Sequence, residues 1–161
     1  MRIVADASPL IGLAILNHLD LLSSLFEELY LPPAVYGEIT QTAKPYAETL
    51  RRELADRVKP VQNRLAIELL SNDVDQGEAE AIVLALENDI PNILIDDAKG
   101  RRVARLYNLH PLGTIGLLLQ AKRTGHITQV KPLLDTLIAN KIRIGPALYQ
   151  EALELAGEVT K

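Results

Sequence analysis

The chain has 161 residues, no cysteine and a formal net charge of −4. Its length suits one domain with a proper core, and the lack of cysteine excludes disulfides and thiolate metal sites. The negative charge excludes capture of nucleic acid by the field of the whole molecule, so polyanion binding needs a local basic patch.

The opening MRIVADASPLIGLAIL is apolar, but Asp6 interrupts it and no small-residue cleavage site follows. It therefore reads as a folded strand and helix, not a signal peptide. No apolar run approaches the roughly 20 residues that cross a bilayer, so a cytoplasmic location without membrane contact is expected. Residues 2–5 form a buried strand ending at Asp6; Ser8 then caps a helix with Pro9 in its first position, running to residue 16. A second short helix covers 20–26, and a short strand 29–31 precedes Pro32-Pro33.

Residues 34–40 are helical and carry Glu38, and 44–57 are amphipathic and charged, as in an exposed-face helix. Residues 58–61 read as an edge strand, the one place where Pro60 is tolerated in a sheet. After a short helical stretch at 65–70 comes the clearest helix, 75–87, where Asp75 and Glu78 have the spacing of a capping box. Pro91 leads into a strand at 93–95, which runs into Asp96, Asp97 and a basic helix over 98–107. A last strand at 109–112 ends in GTIG, followed by helices at 115–122, 130–139 and 147–156, the last stopped by Gly157. Strands alternating with helices indicate an α/β domain with a short, mainly parallel central sheet.

In such a sheet, strand ends and helix starts meet on one rim, and function gathers there. Asp6, Asp96 and Asp97 follow strands, while Glu38 and Glu78 lie on helices that begin at that rim. Two carboxylates about 4 Å apart repel by about 4 kcal/mol at an effective dielectric near 20. A cluster of them persists by taking up protons or holding a divalent cation, and oxygen donors suit Mg²⁺ or Mn²⁺. Each acid also has a structural explanation: Asp97 and Asp75 as helix caps, Glu78 as the partner in the box, Glu38 as a solvated acid. Asp6 is surplus if Ser8 is the cap, and a carboxylate straight after a buried strand is expensive. Arg101 and Arg105 share a helical face able to clamp a phosphate, or simply to meet solvent. The three histidines show no ligand spacing.

The segments IVADASPLI, PPAVYGEI, DQGEAEAIVLA and ILIDDAKGRRVA followed by LGTIGLLL, in this order over residues 1–125, resemble the PIN-domain family of metal-dependent nucleases. The DD–R–A, GTIG and AGE features are similar to a VapC-like subgroup. The resemblance implies a three-layer α/β/α fold, with 1–125 as the core of a single 1–161 domain. The helices of 126–161 would pack on that core or mediate assembly. It further implies an endoribonuclease using Mg²⁺ or Mn²⁺, often the toxin of a toxin–antitoxin pair. Asp6, Glu38, Glu78 and Asp97 are then the catalytic and metal-site acids. Asp96 shares or replaces Asp97, Asp75 stands in reserve for Glu78, and Ser8 and Thr114 support metal or phosphate. The expected partners are an RNA substrate, a small antitoxin protein and a second copy of the chain.

Other folds explain the pattern less well. A phosphotransfer receiver would want a Lys after the last strand, where Thr114 stands, and neither G-x-G-x-x-G nor a Walker loop occurs. The remaining rival is a catalytically inactive PIN-like interaction protein with a vestigial acidic site, in which the Leu-rich helices mediate assembly.

Overall fold

A computed structural model describes residues 1–159. Four short strands form one sheet in the order β2-β1-β3-β4, every neighbouring pair parallel. They are β1 (Arg2–Ala5), β2 (Glu28–Tyr30), β3 (Asn92–Leu94) and β4 (His110–Leu112). Ala5 pairs with Leu94, and the Asp6 amide donates to the Leu94 carbonyl over 2.8 Å. Asp6 and the Asp96–Asp97 pair therefore leave the sheet at the same edge.

Alternation along the strands divides the core into two apolar layers. Ile3, Ala5 and Leu94 face one side, against α1 (Ala7–Ile15), α8 (Thr114–Arg123), α9 (Lys131–Ala139) and α10 (Pro146–Ala156). Val4, Ile93 and Ile95 face the other, against α6 (Gln76–Glu87) and α7 (Ala98–Leu106). The result is helix, sheet, helix, as three-layer packing of a doubly covered parallel sheet requires. Leu134, Leu137 and Leu153 belong to the first layer, so the C-terminal helices share the core.

The remaining helices are α2 (Asp20–Leu25), α3 (Pro33–Thr40), α4 (Tyr46–Leu54) and α5 (Arg64–Leu70). No residue of α3 caps its start; instead Glu80 of α6 accepts the Ala34 amide over 3.1 Å. That bond fixes α3 against α6. Among the described residues, no helix is long and apolar enough to cross a membrane.

Three expectations shift. Residues 58–61 form no strand: Val58 makes one isolated parallel bridge to Leu31, and Lys59 donates to the Leu31 carbonyl. Pro60, with no N–H, ends the ladder there. The third strand spans Asn92–Leu94, one residue earlier than expected, although Ile95 still donates to Leu112 over 2.9 Å. Ser8 is not the cap of α1, which starts at Ala7 with Asp6 in the cap position. Pro9 is tolerated there because the amides of the first turn have no intrahelical acceptor anyway.

Candidate functional site

The parallel sheet delivers five acids to its carboxyl edge, and the local structure of each decides what it is free to do. Asp6 stands where an N-cap should, yet makes no side-chain capping bond, and it is only 5% exposed. Burial raises its carboxyl to about 7; the Ala7 amide opposes this, and the charges of Glu78, Asp75 and Glu38 add to it.

Glu78 opens α6 and is 6% exposed. It closes the capping box: the Glu78 amide donates to Asp75 Oδ1 over 2.8 Å, and the Asp75 amide to Glu78 Oε2 over 3.2 Å. The box thus forms with Asp in the cap position. Burial again leads in raising the Glu78 carboxyl to about 7, with Asp75, Asp97 and Glu38 raising it further against the Asp75 amide. Glu38, six residues into α3 and largely exposed, is raised by partial burial and then by Asp75.

Two glycines lie among these acids, and at one of them a side chain would crowd its neighbours. A Cβ on Gly77 would stand 3.4 Å from Glu38 Oε1 and 3.6 Å from Asp6 Oδ1. A Cβ on Gly100 would stand 2.6 Å from Ile95 Cδ1 and 3.4 Å from Glu78 Oε2, so no side chain fits there without displacement. Sequence reasoning missed both; their signal was a glycine one residue before Glu78 and another three residues after Asp97.

The Asp96–Asp97 pair is divided in role by its bonds. Asp97 caps α7, its Oδ2 accepting the Gly100 amide over 2.9 Å. Asp96 gives both oxygens to Thr114, which donates through its amide and its hydroxyl. This supplies from another segment the cap that Gly113 cannot give α8. Ser8 is exposed at the start of α1. Arg101 is half-buried, and its Nη1 would lie 2.6 Å from a Gly113 Cβ, whereas Arg105 is exposed along α7.

Among the described residues, none of Asp6, Glu38, Asp75, Glu78, Asp96 and Asp97 has a Lys, Arg or His nitrogen within 4.0 Å. No basic side chain neutralises these acids, and burial without a basic partner favours the protonated form of Asp6 and Glu78. Nor do three His, Asp or Glu side chains among the described residues already converge tightly enough to hold a metal ion. In donor type and charge the set suits a hard divalent cation. Closing on one requires Glu78 and Asp97 to draw in from their capping bonds.

A family model described as a PIN domain matches residues 2–158 of the chain. No curated protein matches it.

Proposed function

Because the chain belongs to the PIN-domain family, whose members are in general nucleases, we propose that it is a metal-dependent endoribonuclease. The observation that carries this reading is the pair of carboxyls Asp6 and Glu78, only 5% and 6% exposed, with no Lys, Arg or His nitrogen within 4.0 Å among the described residues. PIN domains typically use divalent metals. Asp6, Glu38, Glu78 and Asp97 would hold Mg²⁺ or Mn²⁺; Asp96, with both oxygens on Thr114, is better placed to fix Thr114 than to ligate. A cation in that position supplies an acidified water and stabilises charge on a leaving oxygen.

The side chains have their own tasks. Asp6 and Glu78 surrender their protons as the pocket fills. The exposed Ser8 hydroxyl orients a phosphate at the rim, while the buried Thr114 hydroxyl, its proton on Asp96, holds that carboxylate in place. The Arg101 guanidinium next to Gly113 offers a bidentate grip on a neighbouring phosphate. The VapC-like resemblance supports a toxin acting in the cytoplasm, held by a small antitoxin and working as a homodimer.

One observation favours the second reading, a non-catalytic interaction protein: Asp75, Glu78 and Asp97 are all employed as helix caps. Incubation of a mixed RNA with the purified protein separates the two. Cleavage that appears with Mn²⁺ and stops with chelator supports the nuclease; intact RNA under both conditions contradicts it.

A further inference from the structure

Beside the acidic rim lies a cleft of about 470 Å³, lined on that side by Ser8, Asp96, Asp97 and Thr114. Its floor is aliphatic, built from Ile11, Ile115 and Ile142. Its far wall is the linker between α9 and α10, which brings in Lys141 and Arg143, both exposed. Among the described residues neither cation has a carboxylate within 4.0 Å.

The turn that carries the linker over the cleft has a cost. Lys141 is in the left-handed region at φ 68°, just past the end of α9, where glycine or asparagine is the ordinary choice. A long cation occupies a backbone position that disfavours it, in the lining of the cleft.

We propose that this cleft seats one nucleotide of single-stranded RNA, its base on the aliphatic floor and its phosphate against Lys141 and Arg143. The assignment rests on the nuclease reading of the neighbouring acids. Three features select this occupant. The volume matches a small organic ligand, and the lining combines an apolar floor with a few convergent polar groups. The two exposed cations of the linker, with no carboxylate within 4.0 Å among the described residues, offer a phosphate its counter-charge. The cleft also shares Asp97 and Thr114 with the acidic rim, so a nucleotide bound here places its neighbouring phosphodiester at the carboxylates.

Fluorescence anisotropy of a labelled short single-stranded oligoribonucleotide, in chelator so that nothing is cut, tests the assignment. The parent is compared with Lys141→Gly, Arg143→Gln and the double variant. The double variant should bind about tenfold more weakly, with the slope of log Kd against log salt shallower by about 0.7 per cation removed. Lys141→Gly should melt no lower than the parent, because glycine suits the left-handed turn. Nucleoside monophosphates should displace the oligonucleotide where ribose 5-phosphate does not. Unchanged affinity in the double variant overturns the proposal, as does equal competition by ribose 5-phosphate. The two readings fail separately. A parent that cuts no RNA with Mn²⁺ but binds through Lys141 and Arg143 removes the nuclease and keeps the cleft. A parent that cuts, with a double variant that binds equally well, removes the cleft alone.

Discussion

Asp96 holds Thr114 with both carboxylate oxygens, Oδ1 on the amide and Oδ2 on the hydroxyl, each at 2.7 Å. The bond pair joins the segment leaving β3 to the first residue of α8. It leaves Asp97, with one oxygen on Gly100, as the member of the pair with an oxygen to spare.

That division gives opposite mutational signatures. Asp96→Ala strands the Thr114 amide and should cost about 2 kcal/mol, lowering Tm by roughly 5 °C. Asp97→Ser keeps a good N-cap and should change stability by less than about 0.5 kcal/mol. Yet it should lower Mn²⁺-dependent cleavage on the order of a hundredfold by removing a charge from the rim. Thermal melts and initial cleavage rates on both variants check the pair; the reverse pattern would exchange their roles.

The pH dependence follows from Asp6 and Glu78. Unfolded, both ionise near pH 4; folded, they hold their protons to about 7. The folded chain therefore binds more protons across that interval, and stability falls as pH rises. Their contribution is complete below about pH 4, declines as pH climbs, and is gone above about 7. Asp6→Asn with Glu78→Gln keeps residue types that cap well and removes both titrations. Tm of the double variant should fall less between pH 4 and 8 than the parent's, and Mn²⁺ should raise the parent's Tm more at pH 8 than at pH 5. A parent as stable at pH 8 as at pH 5 would remove the buried acids from the account.

Much of this site was legible because a parallel sheet imposes a simple rule. Residues following buried strands share one edge, so Asp6 and the Asp96–Asp97 pair leave the sheet on the same side whatever their distance in sequence. The capping box of Asp75 and Glu78 was legible from spacing alone. What escaped depends on approach between elements. The cap of α1 fell on Asp6 instead of Ser8, since hydroxyl and carboxylate two residues apart are equally plausible caps to a local reading. Glu80 capping α3 from α6, the clearance at Gly100, and the linker that brings Lys141 and Arg143 to the cleft all require tertiary placement.

The C-terminal segment is locked by Glu158. Its carboxylate accepts from Lys122 Nζ at 2.8 Å and from the Val130 and Lys131 amides at 2.7 and 2.9 Å. Burial alone would push Glu158 up, but Lys122 and the two amides hold it below the usual range. Glu158→Ala should therefore cost about 3 kcal/mol, seen as a Tm lower by roughly 8 °C. Lys122→Met should cost less than Glu158→Ala, since the amide bonds survive. Equal losses in the two variants would show that the ion pair, not the amide clasp, dominates.

The most direct test of the acidic rim is calorimetric titration of Mn²⁺ into the metal-free parent and into Asp6→Asn at pH 7. Measuring each in two buffers of different ionisation enthalpy counts the protons released. The expected result is saturable binding to the parent with proton release from Asp6 and Glu78, and binding at least tenfold weaker, with fewer protons released, in the variant. Equal binding by both proteins, or binding by the parent without proton release, would contradict a cation site built on these buried carboxylates.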